Sequence, residues 1–240
     1  TILAKDDEVI IPTPAYVGYE PLITISEAKT KFLDLEENNF VLTKEILEKN
    51  ITDKTKLIIL TYPNNPSGIT LAEEEMVKIV KFLKDKNIYL ISDEIYAAIT
   101  FEKFTSFAKF SDELKEQLII INVFSKSHSM TGYRLGYIIA DEKLQNQVKK
   151  VSQYNVTSAS TLSQYGAIAA LDKCSDTAKI SEIYKKRVEY FVNGIEKLGF
   201  KCLKPKGAFY VFATYKNIEK FKNMKSFDFV LDLLEKNELA

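Results

Sequence analysis

Apolar residues come in short unbroken runs, separated by longer stretches in which they recur every three or four positions. The runs EVIIP (8–12), KFLDL (31–35), KLIILTY (56–62), NIYLIS (87–92) and QLIIINV (117–123) predict strands. Their near-continuous apolar character predicts a parallel sheet covered on both faces. Between them, TKEILEKN (43–50) and LAEEEMVKIVKFLKDK (71–86) predict helices; in the second, Met76, Val80 and Leu83 share one side, with Ile79 beside them. Strand, helix, strand at this spacing is the parallel crossover unit of α/β proteins. RLGYIIA (134–140) follows the fifth run after only a short loop, which predicts an antiparallel neighbour.

After residue 142 the pattern turns helical. LQNQVKKVSQY (144–154), STLSQYGAIAALDK (160–173) and a long amphipathic stretch over 176–198, stopped by Gly199, predict three helices. FKCLKP (200–205) and GAFYVFA (207–213) predict a small sheet, followed by a helix near 226–237. The expected organisation is a larger domain over 1–177 and a second unit over 178–240 that begins with a bridging helix. Both ends read as cut: TILAKDDEVIIPTPAY suggests a helix end running into a strand, and LDLLEKNELA an unfinished helical unit.

Composition narrows the class. The 240 residues carry 33 basic and 33 acidic side chains, so neither a nucleic-acid nor an anionic-membrane specialist is expected. The apolar runs are too short to cross a bilayer. Cys174 and Cys202 lie far apart without metal-ligand spacing. A cytoplasmic enzyme is the expectation.

Side chains at the carboxyl ends of parallel strands converge on one edge of the sheet. Three such ends carry polar groups: YPNNPSG offers Asn64 and Asn65, SDEIY offers Asp93, Glu94 and Tyr96, and FSKSHS offers Ser125 and Lys126. Each has an ordinary alternative. Asn, Pro and Gly suit any turn, Asp93 could cap a helix, Tyr96 could pack one, and Lys126 could be a surface lysine. An amide, a carboxylate, a phenol and an amine on one rim together suit a pyridine aldehyde bearing a phosphate. Lysine condenses with carbonyls once it loses a proton. A carboxylate keeps a ring nitrogen protonated, amide and phenol bond a ring hydroxyl oxygen, and serine with arginine suits phosphate.

These segments resemble the class I/II aminotransferases of the aspartate aminotransferase type, over essentially the whole chain. The resemblance implies a mostly parallel central sheet in a three-layer, pyridoxal 5′-phosphate (PLP)-binding large domain, with part of a smaller α+β domain. From YPNNPSG it implies Asn65 on the cofactor hydroxyl, and from SDEIY, Asp93 on the ring nitrogen and Tyr96 on the same hydroxyl. FSKSHSMTGYRLGY implies Lys126 as covalent anchor and general base, with Ser125 and Arg134 on phosphate. IPTPAYVGY implies Tyr16 stacked on the ring, and PKGAFYVF brings Phe209 or Tyr210 near the substrate. Val123 departs from the pattern, since the family usually has serine or glycine three residues before the lysine. Amino acid and 2-oxo acid substrates are implied, with aspartate and 2-oxoglutarate as the family-based expectation, in a homodimer. YNVTSASTLS (154–163) is either a region near the subunit boundary or a polar linker followed by a helix cap. A glycine-containing phosphate-binding helix start upstream and a carboxylate-clamping arginine downstream would lie outside the chain.

The same anchors suit a carbon–sulfur lyase, because orientation decides which bond at the α-carbon breaks. NIYLISDE also resembles the magnesium-holding strand of nucleotide triphosphatases, but no GxxxxGK[ST] loop accompanies it. A non-catalytic truncated scaffold is the third alternative. His128, the only histidine, is expected to be a satisfied or partly exposed loop residue rather than a metal ligand.

Overall fold

The structure, a computed structural model, describes residues 2–239. Its first half runs β1 (Glu8–Thr13), α1 (Tyr19–Ile25), β2 (Lys29–Asp34), α2 (Lys44–Asn50), β3 (Thr55–Thr61), α3 (Glu73–Leu83) and β4 (Tyr89–Asp93). The one-turn helix α4 (Ser111–Leu114), β5 (Leu118–Val123), the one-turn helix α5 (Phe124–Ser127) and β6 (Gly136–Ile139) follow. The strands form one sheet in the order β2-β1-β3-β4-β5-β6, parallel from β2 to β5. β6 is antiparallel to β5, as the short connecting loop predicts.

Strand periodicity divides the core. Val9, Ile11, Leu57, Ile59 and Ile91 pack on one face with Ile23 of α1 and with Ala28. Ile10, Ile58, Leu60, Leu90, Leu118 and Ile120 pack on the other with Leu47 of α2 and with Met76, Ile79, Val80 and Leu83 of α3. Helices therefore cover both faces, giving the three-layer α/β arrangement. Each fully buried Leu or Ile contributes roughly 1.5–3 kcal/mol.

One expectation fails at the start of the chain. The segment before β1 is a turn rather than a helix end: Asp7 accepts the Ala4 N–H through Oδ2 at 2.7 Å and returns its own N–H to the Ala4 carbonyl at 3.2 Å. Residues 2–4 have no helical structure; Thr1 lies outside the described residues. Helix α1, conversely, was not legible, because YEPLITI is short and ends in β-branched residues with little helical periodicity.

Beyond β6 lie α6 (Glu142–Val156), α7 (Thr161–Lys173), α8 (Ala178–Lys197), β7 (Lys201–Cys202), β8 (Ala213–Thr214) and α9 (Ser226–Asn237). β7 and β8 pair antiparallel, so the small sheet exists, but 207–213 is not a continuous strand. Ala208 has φ +57°, outside the extended region, and its N–H is bonded to the Ile99 carbonyl at 2.7 Å. Phe200, Tyr215 and Phe221 pack around Phe229 of α9, with the Tyr215 ring stacked at 4.2 Å. No described helix is long and apolar enough to cross a membrane.

Candidate active site

The register of the parallel strands sets the site. Thr61 and Asp93 are paired residues at the ends of β3 and β4. Both share the parity of Leu57, Ile59 and Ile91, so they face the side that α1 covers. Tyr19, at the start of α1, reaches both: its hydroxyl donates to Asp93 Oδ2 at 2.6 Å and lies 2.6 Å from Thr61 Oγ1. Asp93 Oδ1 accepts the Ile95 N–H at 3.3 Å. The next residue, Glu94, has the opposite parity. It accepts from Ser92 Oγ at 2.9 Å and the Phe107 N–H at 3.0 Å, tying down the following loop. Of this acidic pair, one carboxylate faces the rim and the other is structural.

Burial governs the electrostatics. It pushes Asp93 above the ordinary carboxylate value, with the Tyr19 hydroxyl and the Ile95 N–H acting in the opposite sense. Burial first, then the Asp93 charge, holds Tyr19 far above the usual phenol range, which keeps it protonated as the donor. Tyr96 is raised too, chiefly by burial, and the direction of its bond to Tyr210 is open, since either hydroxyl can donate. Among the described residues no cation forms a salt bridge with Asp93.

The turn after β3 separates two asparagines of identical chemistry. Asn64 builds the turn: its Oδ1 accepts from the Ser67 N–H at 3.0 Å and Ser67 Oγ at 2.7 Å, and its Nδ2 donates to the Pro14 carbonyl at 3.2 Å. Asn65 points outward, and its Nδ2 donates to the Tyr210 hydroxyl at 3.3 Å. The Tyr96 hydroxyl lies 2.7 Å from that same oxygen. Lys126, on α5 directly after β5, is half-buried with its Nζ 5.4 Å from the centre of the Phe209 ring and 5.9 Å from that of Tyr96. Among the described residues it makes no hydrogen bond through Nζ and no ion pair.

Other expected residues lie at the margin. Tyr16 is 52% exposed and meets the site through Tyr19, whose ring it contacts edge-on at 5.5 Å. Ser125 and Arg134 are linked through one loop residue: the Ser125 carbonyl accepts from Thr131 Oγ1 at 3.2 Å, and Arg134 Nη1 donates to the Thr131 carbonyl at 3.2 Å. Arg134 is exposed with φ +50°. Among the described residues, neither side chain bonds to Asp93, Tyr96 or Asn65. His128 is satisfied at Nδ1, 2.8 Å from Ser127 Oγ, while its Nε2 is buried without a partner among the described residues. Tyr154 is exposed, whereas Ser163 is buried and donates to the Tyr133 carbonyl at 2.8 Å.

Tyr19 and Thr61 were missed from sequence. Thr61 closes KLIILT with the parity that Asp93 has in NIYLISD, a signal that was available. Tyr19 sits three residues after Tyr16 but needs the unforeseen helix α1 to turn it inward. Chemically, the rim offers, among the described residues, an unpaired amine, a buried carboxylate without a cation, and an amide and phenol directed at one aryl oxygen.

Comparison with known proteins gives the family and the fold. A family profile described as aminotransferase class I and II matches residues 1–238. The chain is 43% identical to a probable N-acetyl-LL-diaminopimelate aminotransferase of Bacillus subtilis, covering 98% of this chain and 58% of that protein. It is 39% identical to an aspartate aminotransferase of the same organism, covering 100% and 62%. The fold superposes on aspartate aminotransferase from Thermotoga maritima with TM-score 0.88 at 32% identity, over 100% of this chain and 62% of that one. For an aromatic aminotransferase from Pyrococcus horikoshii the values are 0.90 and 32%, over 99% and 64%. The chain thus spans about 60% of the length of these relatives.

Proposed function

This chain belongs to the class I and II aminotransferases, and from that premise we propose that the complete protein moves an amino group from an amino acid to a 2-oxo acid, with PLP held at the rim formed by Asp93, Tyr96 and Lys126. The observation that carries the proposal is Asp93. A carboxylate this buried, 8% exposed and without a cation among the described residues, is matched to a protonated ring nitrogen. The other donors fit the rest of the same molecule.

When bound, PLP supplies an aldehyde that amines condense with and a ring that accepts electrons. Lys126 would be the amine that anchors it, and its Nζ, once free, would hold and move the proton of the substrate α-carbon. Asp93 holds the ring nitrogen protonated, and Tyr19 orients Asp93. Asn65 and Tyr96 would donate to the ring oxygen, Tyr16 would cover the ring, and Ser125 and Arg134 would hold phosphate. The division into a large part up to residue 177 and a smaller one from 178 belongs to the same proposal, with Tyr210 reaching the rim from the second part.

The names of two relatives support the substrate class. Aspartate and N-acetyl-LL-diaminopimelate both carry two carboxylates, so the proposed donor is a dicarboxylic amino acid, with 2-oxoglutarate as acceptor. A cytoplasmic homodimer completes the proposal. The exposed apolar row Leu162, Tyr165, Ile168 and Leu171 on α7 supports a partner surface.

The test is mass spectrometry of the complete protein after incubation with PLP and borohydride. A reduced adduct on Lys126, with amino transfer from a dicarboxylic donor, is the expected result. A folded protein without the adduct would overturn the proposal, and an adduct with sulfur release from cysteine derivatives would move the assignment to a lyase.

A further inference from the structure

The Tyr210 hydroxyl is the oxygen on which Asn65 Nδ2 and the Tyr96 hydroxyl converge, at 3.3 and 2.7 Å, from 145 and 114 residues away in sequence. The aromatic rings fix the contact as well: Tyr96 meets Tyr210 edge-on at 5.6 Å and Phe209 at 5.4 Å. The backbone that delivers Tyr210 is fastened two residues earlier. Ala208 is fully buried and bonded to the Ile99 carbonyl at 2.7 Å. Gly207 is packed so closely that a Cβ there would lie 2.7 Å from Pro63 Cγ and 2.9 Å from the Ile99 carbonyl oxygen. Tyr210 therefore has little freedom to be elsewhere.

The hydrogens can be counted. The Asn65 amide carries two, and each phenol carries one. If Tyr96 donated to Tyr210, Tyr210 would accept two bonds and its own proton would have no protein acceptor among the described residues. If Asn65 donates to Tyr210 and Tyr210 to Tyr96, one amide hydrogen and the Tyr96 proton stay free for a single outside acceptor. With an acceptor beside Tyr96, the second direction leaves no hydrogen unmatched.

Resting on the function proposed above, we infer that Tyr210 is a positioning residue: it relays a hydrogen bond from Asn65 to Tyr96 and so strengthens Tyr96 as a donor to the aryl oxygen of the cofactor. Bonds in such a chain polarise one another, by roughly 10–30% each. Tyr210 acts through Tyr96 and need not touch the cofactor itself.

A stronger donor to the aryl oxygen withdraws charge from it and weakens its hold on the protonated nitrogen of the lysine linkage. Weakening the donor must raise the pH at which that nitrogen loses its proton. The experiment is a spectrophotometric pH titration of the PLP-loaded complete protein, as wild type, Tyr210→Phe, Tyr96→Phe and the double variant. Tyr210→Phe should raise the absorbance midpoint by about half a pH unit, about threefold in proton affinity. Tyr96→Phe should raise it further, and the double variant should match Tyr96→Phe alone, since the relay ends on Tyr96. Tyr210→Leu, which also removes the ring, should shift the midpoint no more than Tyr210→Phe; a larger shift would assign the effect to packing and overturn the relay. An unmoved midpoint in Tyr210→Phe, or additive shifts in the double variant, would overturn it too. Tighter PLP binding with a lowered midpoint would make Tyr210 a competitor for the same donors and equally end the inference. Failure of wild-type protein to take up PLP would defeat the proposed function itself, an outcome distinct from all of these.

Discussion

The candidate site is made of two unlike halves. The half built on strand ends is interlocked: Thr61, Asp93 and Tyr19 share hydrogen bonds, and Asp93 and Tyr96 are 8% and 2% exposed. The half that follows β5 is open: Lys126 rests on aromatic faces, and among the described residues the Arg134 side chain and the Ser125 carbonyl bond to Thr131 of their own loop. Sheet register places the first set, because paired residues of adjacent strands must face the same way. The backbone of the second is held by β5–β6 pairing and the buried Phe124, but among the described residues no hydrogen bond ties the Lys126 side chain down. A preformed floor that holds a ring, beneath a lysine free to change partners, is what the proposed chemistry needs. It also means that the halves should respond differently to mutation: the floor through stability, the lysine through chemistry.

The largest expected effect is on the open half. Lys126→Ala should remove all borohydride-reducible PLP attachment while changing thermal stability little. Its ring contacts amount to about 0.5–1 kcal/mol, or at most about 2–4 °C in Tm for a chain of this size. Mass spectrometry and a thermal melt on the same variant check both parts. Adduct formation at another lysine would remove Lys126 from its assigned role, and a collapse of Tm would make it part of the scaffold.

Tyr19→Phe probes the floor and should do the reverse. It strips a hydrogen-bond donor from a buried carboxylate and a partner from Thr61, at a cost of about 2 kcal/mol. The Lys126 adduct should persist. Denaturant unfolding of the cofactor-free protein measures the cost, and a loss below about 0.5 kcal/mol would show that water replaces the hydroxyl.

Tyr19 also marks where sequence stopped being sufficient. The parallel pairing of β1, β3, β4 and β5 follows from apolar runs that have no polar face, and the antiparallel β6 from a loop too short for a crossover. Asp93 and Lys126 were identifiable because a strand end is a definite place in a sequence. Tyr19 depends on α1, a seven-residue helix held by its packing on Val9 and Ile11 rather than by its own propensity. Tyr210 depends on a left-handed Ala208 and on carbonyls about a hundred residues away, so GAFYVFA reads as a strand although most of it is not one. Local pattern reports on elements that satisfy themselves; both these residues are placed by long-range contacts.

The smallest effect tests the floor most sharply, because its sign depends on pH. Burial raises the Asp93 pKa above its unfolded value of about 3.8, so the folded chain binds the proton more tightly than the unfolded one. Below that unfolded value both states are protonated and Asp93 contributes no penalty. As pH rises from about 4 through the raised folded pKa, stability falls, and above it the loss is constant. Asp93→Asn removes this dependence, while its amide oxygen can still accept the Tyr19 hydrogen. Glu94 is raised by burial too and gives a slope of the same sign, but it is present in both proteins and cancels in the difference. The cofactor-free variant should therefore match the wild type near pH 3.5 and melt at a higher temperature than the wild type at pH 7. Bound PLP should reverse the order, because a protonated ring nitrogen relieves Asp93 of its unpaired charge and has no anion to pair with in the variant. A Tm difference independent of pH, or a variant less stable at pH 7 without cofactor, would mean that water or protein dipoles already compensate the carboxylate, and the site would then have no unmet demand for a cation.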